Sequence, residues 1–297
     1  MTSTPHRIAG HHAAGDRAAR PALRRLGLAG LAATAALALS ACAGGGGAES
    51  AGEAWNGART QFEQAESFRM TADLPKDALQ DGATSGTLEA AGMTGEPNGQ
   101  LTMHMKADQG ELTMEMREVG EKGYVRMDLS GQDLDQNANA MMGLGDKWIE
   151  QDIPQDQSGM IGSLRESLLA KVPAAGALDG VDEQPQEVDH DGQKAYRYEI
   201  PADIAEAAAQ KAKGDTGASD AKDQGEAALS ELDMSRLHAF VVDADGRLLA
   251  FELQGDKGKD GKDAPASEMA FSDWGSVTKF QAPAKDEIRD LTGGGQG

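Results

Sequence analysis

The sequence of 297 residues contains only one cysteine, Cys42, so a disulfide bond within the chain is impossible. Aromatic residues make up only 4% of the sequence, and we therefore expect a core of aliphatic and methionine side chains. Basic residues are also few, 28 against 49 acidic residues, and this charge balance repels nucleic acid. The apolar run Leu26–Leu39 is too short to be a permanent transmembrane helix.

The first 41 residues have the layout of a bacterial signal peptide. Five arginines and a single acidic residue precede the apolar run, which is typical of a secretory signal. The run ends in Leu39-Ser40-Ala41-Cys42, which resembles the lipobox of bacterial lipoproteins. That resemblance implies cleavage before Cys42, lipidation of Cys42, and an extracytoplasmic protein anchored to the cell membrane by its lipid. Two alternatives remain open: an ordinary secretory signal with a chance cysteine, and export by the twin-arginine route because of Arg24-Arg25.

Removal of residues 1–41 would leave a flexible, glycine-rich tether at 42–49 and a single folded domain at 50–290. The removed part holds five basic residues and one acidic residue, so the net charge would change from −21 to −25. We interpret this charge as a means of solubility. Two polar stretches near 211–226 and 256–265 have almost no bulky apolar side chains and predict mobile surface insertions.

Three stretches of the domain have the spacing of amphipathic helices. Ser50 and Glu53 have capping-box spacing at the start of the first, whose apolar residues recur every three or four positions. The second helix is expected over 158–170, with Ser158 as its N-cap. Pro201 opens the third, which is rich in alanine.

Alternating apolar and polar residues predict an antiparallel sheet in the first half of the domain. Residues 67–74 alternate in this way, and residues 99–130 contain three further runs, joined by four-residue loops that end in glycine. In the first of these hairpins we place Lys106 opposite Glu111. A slip of one residue would bury threonine and glutamate instead of methionine, so the pattern favours this register.

The methionines of these strands fall on one face of the predicted sheet. Placing Val119 opposite Tyr124 in the second hairpin continues that face. Methionine is unbranched and polarizable, so a wall of methionines adapts to varied apolar shapes. A filled core against a helix and an open ligand cavity explain the pattern equally well. The candidate cavity residues are Phe68, Met70, Leu101, Met103, Met105, Leu112, Met114, Met116, Val125 and Met127.

Paired methionines also suggest a site for a soft metal such as copper(I), because thioethers are soft ligands. The predicted register places His104 on the opposite, polar face, away from the sulfur atoms. We therefore expect no metal site and no cofactor. The carboxylates fall mostly in polar loops or on outward faces, and no serine or histidine lies in a recognisable nucleophile motif. The sequence thus indicates a protein that is not an enzyme.

The order of these features resembles the LppX/LprG-type lipoproteins of actinobacteria. The likeness runs over roughly residues 50–285 and is clearest in the hairpin HAFVVDADGRLLAFEL and the closing stretch FSDWGSVTKFQAP. It implies the α+β fold of the carriers LolA and LolB, a curved antiparallel half-barrel sheet wrapped around helices with an apolar cavity. It also implies that the protein binds an acylated lipid or lipoglycan and moves it within the envelope. The alternative is a non-enzymatic envelope sensor or interaction module with a filled core.

Overall fold

The computed structural model describes residues 49–74, 83–108, 110–130, 145, 147–153, 159–215, 234–255 and 266–289, without the side chains of 213–215. All of them belong to one compact unit, Gly47–Gly297. The predicted signal peptide, Cys42, the tether up to residue 48 and the predicted insertion at 256–265 lie outside the described residues.

In the described part of the chain, eleven strands form one open antiparallel sheet. Its order is β6-β5-β4-β3-β2-β1-β11-β10-β9-β8-β7, so adjacent strands are consecutive in sequence except for β1 and β11, and β6 and β7 are the two edge strands. The strands are β1 Ser67–Leu74, β2 Ala83–Met93, β3 Asn98–Ala107, β4 Gly110–Val119, β5 Lys122–Ser130, β6 Ile149–Asp152, β7 Gln186–His190, β8 Gln193–Glu199, β9 Leu237–Asp243, β10 Leu248–Leu253 and β11 Ser267–Ser272.

The helices α1 Ala51–Gln64, α2 Met160–Lys171 and α3 Ala202–Asp215 contribute to one core with the inner face of this sheet. Their main contacts with it are to β10 for α1, to β2 and β3 for α2, and to β9 for α3. The α+β class and the large antiparallel sheet packed against helices, both predicted from the sequence, are confirmed. None of the described helices has the length and apolar character needed to cross a membrane.

The capping box predicted at the start of α1 is present. Ser50 Oγ accepts a hydrogen bond from the backbone N–H of Glu53, and the Glu53 carboxylate accepts one from the Ser50 N–H. The apolar face of α1 then enters a cluster of aromatic rings. Phe62 makes edge-to-face contacts with Phe68 and Phe271, at ring-centroid distances of 5.4 and 5.3 Å. Five of the six phenylalanines are buried, so the few aromatic residues are concentrated in the core.

Two glycines allow α2 to approach the sheet closely. Gly92 of β2 lies opposite Gly99 of β3, and Ile161 of α2 packs directly on this pair. A Cβ atom added at Gly99 would lie 2.5 Å from Ile161 Cγ1, which is closer than real Cβ contacts allow. The Glu118 carboxylate, at the end of β4, accepts a hydrogen bond of 2.5 Å from the Met160 N–H. A negative charge at this end of the helix is favourable to the helix dipole.

Several predicted boundaries are wrong. The second hairpin has a two-residue turn in place of the predicted four-residue loop, so Val119 pairs with Lys122 and Tyr124 with Arg117. Gly120 takes a positive φ of 63°, which suits such a tight turn. Because the register differs by two residues and side chains alternate with period two, every side chain keeps its predicted face. The first hairpin also has a shorter turn, with β3 ending at 107 and β4 starting at 110, but in the predicted register.

Helix ends account for two further corrections. The N-cap of α2 is Gly159 and not the predicted Ser158. Glycine has no side chain with which to cap the helix, and Glu118 of β4 accepts the hydrogen bond from the Met160 N–H instead. The predicted insertion at 211–226 begins inside α3, which continues to Asp215 because its alanine-rich sequence favours helix. Residues 216–226 lie outside the described part of the chain.

Candidate functional site

The methionine face is built by β3, β4 and β5. The first hairpin pairs Lys106 with Glu111, as predicted. Because side chains alternate along each strand, three cross-strand rows project towards the face that carries the helices. These rows are Leu101–Met116–Val125, Met103–Met114–Met127 and Met105–Leu112–Leu129.

Burial decreases along these rows from β3 towards β5. Leu101 and Met103 on β3 are buried, with 1% and 9% of their surface exposed, whereas their partners on β4 and β5 are only half-buried. The sheet therefore changes from a filled core to a partly open apolar surface within three strands. We call the half-buried part the methionine strip, and it consists of Met105, Leu112, Met114, Met116, Val125, Met127 and Leu129.

The ten candidate cavity residues divide between the core and the strip. Phe68 and Met70 are fully buried, and Phe68 packs against Phe62 and Trp274 in the aromatic cluster. Together with Leu101 and Met103 they fill the core. The other six candidates all lie on the methionine strip, where three of them, Met105, Met114 and Met116, pack against the edge of the core.

The position of α2 explains why the strip is partly open. This helix packs on β2 and β3, and its N-terminus is held at the end of β4 by Glu118. The main helix contacts thus fall on β2, β3, β9 and β10, and not on β4 and β5, which carry most of the strip. The strip consists of seven apolar side chains with no strong hydrogen-bonding group. Methionine side chains are flexible, so this apolar surface is adaptable in shape.

His104 lies on the opposite face, as predicted. It is exposed, and its Nδ1 atom is 3.1 Å from Thr113 Oγ1 on the neighbouring strand. The imidazole is therefore directed away from the methionine sulfur atoms. In the part of the chain that the structure describes, no group of three or more His, Cys, Asp or Glu residues is arranged to hold a metal ion.

The outer face of the same strands carries a stack of aromatic and guanidinium groups. The Arg117 guanidinium lies 4.7 Å from the centroid of the Trp148 ring and 5.8 Å from that of Phe280. Arg126 lies 4.6 Å from the same Trp148 ring and forms an ion pair with Glu115. These cation–π contacts fix both guanidinium groups on the outside of the sheet.

The final part of the described chain, residues 277–289, crosses this outer face. The Asn98 amide exchanges two hydrogen bonds with the backbone of Phe280, at 3.1 and 2.9 Å. Trp148 pairs with the backbone of Glu287 and Arg289 farther along. A cleft of about 520 Å³ lies beside this segment. It is lined by Arg69, Arg117, Asp273, residues 276–283 and Glu287.

Sequence reasoning missed this outer cleft and part of the inner face. The cleft residues come from β1, β4 and the C-terminal segment, and no local motif unites them. On the inner face, Leu88 and Ala90 of β2 are fully buried beside the candidate residues. Their alternation was a usable signal, but β2 is rich in small residues and contains Gly86 and Gly92, which are uncommon in strands.

Comparisons with known proteins give one loose structural similarity and no family. No family model matches the chain, and no curated protein matches it. Among solved structures, the chain is similar to the crystal structure of a LolA superfamily protein from Nitrosomonas europaea. The two share 14% identity with a TM-score of 0.18, over 82% of this chain and all of the other. So loose an alignment transfers no ligand to this chain.

Proposed function

We propose that the protein is a lipid-anchored, extracytoplasmic and non-enzymatic lipoprotein that binds the acyl chain of a lipid or lipoglycan on the methionine strip. The single observation that supports acyl binding is the strip itself, an apolar surface that continues directly from the core. The lipobox-like sequence before Cys42 supports the anchor. Movement of acylated lipids within the envelope would be the role of such a binding site.

The energetics of the strip fit an apolar occupant. Burial of apolar surface stabilises by about 0.8 kcal/mol for each methylene group. An acyl chain lying across three strands would therefore contribute several kcal/mol, on the order of a useful binding energy. Methionine side chains can adjust to the kinks and branches of different chains, so the site would select for hydrocarbon and not for one exact shape.

The proposal is tested by placing a large side chain in the middle of the strip. Met114 lies in the central row and is half-buried. In the substitution Met114→Trp, an open strip would accommodate the indole with little loss of stability, while a bound fluorescent fatty acid would be displaced. The measurements are thermal unfolding and retention of the fatty-acid probe. Thr113→Trp, on the opposite face of the same strand, is the matched control and should retain the probe.

The competing interpretation is an interaction module in which other parts of the protein fill this space. In that case Met114→Trp would overpack the core and destabilise the protein by about 1–3 kcal/mol. A large loss of stability, combined with no probe binding by the wild-type protein, would contradict the carrier proposal. Native mass spectrometry of protein purified from its own membrane would show directly whether an acylated molecule accompanies it.

A further inference from the structure

We infer that the cleft on the outer face of the sheet is a second binding site, for the phosphate group of an organic ligand, centred on Arg117. The site lies on the opposite side of the sheet from the methionine strip and does not depend on the function proposed for the strip. Its evidence is the position of Arg117, the charge of the lining and the size of the cleft.

Arg117 is the decisive residue because none of the described carboxylates forms an ion pair with it. Its Nε donates to Gln100 Oε1 at 2.9 Å, and its Nη1 donates to the Gln281 carbonyl at 3.1 Å. An arginine has five N–H donors, so three are left without an acceptor among the described residues. Burial of the guanidinium lowers the pKa of Arg117, although Glu115 and Glu287 act in the opposite direction.

Two other partly buried arginines of the described residues are paired with carboxylates. Arg126, which stacks on the same Trp148 ring, is bound by Glu115. Arg197, which is similarly shielded from solvent, is bound by both Glu199 and Glu252. A partly buried charge is costly unless an opposite charge compensates it. In a chain with a net charge of −21, an arginine held rigidly at a cleft without such a partner indicates an anionic ligand.

The rest of the lining fits a phosphate group better than a carboxylate. Arg69 and Lys279 also line the cleft, paired with Asp273 at 2.8 Å and Glu96 at 2.5 Å, and the acidic members of the lining are Asp273 and Glu287, so the lining carries three cations against two anions. The hydroxyl-bearing residues Ser276 and Thr278 also line it. Donors from several directions suit a tetrahedral phosphate, whereas a carboxylate is satisfied by a single guanidinium fork. Because about 520 Å³ lies within the range of organic-ligand pockets, the cleft has room for more than the phosphate.

The test is a titration of the purified protein with glycerol 3-phosphate at low ionic strength, followed by calorimetry. We expect saturable binding that Arg117→Gln weakens at least about tenfold, the effect of losing one strong charge-assisted hydrogen bond. Arg126→Gln is the matched control, since it removes the other guanidinium on Trp148 but leaves the cleft intact. Its affinity should stay within about threefold of wild type, as expected for a screened charge outside the site.

A second variant distinguishes loss of the binding site from loss of the fold. Arg117→Lys keeps the charge without the planar fork, and we expect an intermediate loss of affinity in a protein that unfolds at the wild-type temperature. Absence of saturable binding by the wild type, or equal weakening by Arg117→Gln and Arg126→Gln, would overturn the inference. Retention of the fatty-acid probe should be unchanged in Arg117→Gln, so failure of this site is distinguishable from failure of the strip.

The phosphate has two possible sources, a soluble ester or a lipid headgroup. Vesicles of phosphatidylcholine alone and of phosphatidylcholine with phosphatidylglycerol separate them. Stronger co-sedimentation with the anionic vesicles that is lost in Arg117→Gln supports a headgroup as the ligand. Binding of glycerol 3-phosphate without any preference between the vesicles supports a soluble ester.

Discussion

Tyr198 is a residue whose surroundings make the stability of the protein sensitive to alkaline pH. Its ring stacks on Phe240 at a centroid distance of 5.0 Å, and its hydroxyl donates to the Glu49 carbonyl at 3.3 Å. Burial of the phenol, with the nearby Glu49 carboxylate as a smaller cause, raises the pKa of Tyr198 to about 12. The neutral form is therefore favoured in the folded protein.

The sign of the resulting pH dependence follows from proton binding. Between the ordinary tyrosine pKa of 10.0 and about 12, the unfolded chain loses the proton while the folded protein keeps it. The free energy of unfolding should consequently fall as the pH rises through this window. We expect Tyr198→Phe to flatten that decline in urea unfolding experiments, because the ring is retained and the titrating group is not. A decline in Tyr198→Phe as steep as that of wild type would contradict this assignment.

For individual residues, the sequence predicted correctly which face of the sheet a side chain lies on, but it did not predict how deeply that side chain is buried. Alternation in β3 and β4 was sufficient to place every methionine of residues 101–116 on one face, and His104 on the other. It gave no means of knowing that Met103 is buried and Met114 is half-buried. That difference depends on where α2 lies across the sheet, which is set by glycines and a carboxylate far away in sequence.

The contact between α2 and the sheet is the element-scale feature that separates the filled core from the strip. Because Ile161 already occupies the space above Gly99, Gly99→Ala should force the helix away from β3. We expect a loss of about 1–3 kcal/mol in the free energy of unfolding, the usual cost of overpacking. Chemical denaturation measures it.

Gly57→Ala is the matched control for this substitution. Gly57 is exposed on α1, and an added Cβ atom would meet nothing within 4 Å. Replacing glycine by alanine inside a helix stabilises by about 0.5–1 kcal/mol, so the control should change stability in the opposite direction. In the double variant Gly99→Ala/Ile161→Ala, the loss in free energy of unfolding should be smaller than the sum of the two single losses, because removal of the Ile161 side chain relieves the overpacking. Equal effects of Gly99→Ala and Gly57→Ala would show that α2 does not depend on the close approach.

Elements with strong alternation or a capping pair were predictable, and elements without them were not. β1, α1 and the hairpin of β9 and β10 follow directly from residue patterns. β2 and β7 were missed because the first is dominated by small residues and the second, QEVDH, has one apolar side chain. The turn at Gly120 was overestimated in length, since either glycine of Gly-Glu-Lys-Gly is able to take the positive φ.

For the whole molecule, the membrane anchor is the prediction with the largest expected effect. Replacement of the only cysteine, Cys42→Ala, removes the sole thiol that can carry a diacylglyceryl group. Two or more acyl chains anchor a protein stably, whereas a chain without them lacks this attachment. We expect the variant to leave the detergent phase and to appear in the soluble fraction, or to remain as the uncleaved precursor. Unchanged detergent partitioning would contradict lipidation at this position.

The order of the eleven strands has a consequence for how the chain reaches its native state. Nine of the ten pairs of adjacent strands are consecutive in sequence, but β1 must also pair with β11, and the ion pair between Arg69 and Asp273 closes a separation of 204 positions. Long-range pairing of this kind is slow, because the entropy of closing the loop is lost before any contact is gained. Phe68 and Phe271 meet only when β11 is available. A nascent chain would therefore lack this central strand pair until β11 has been synthesised.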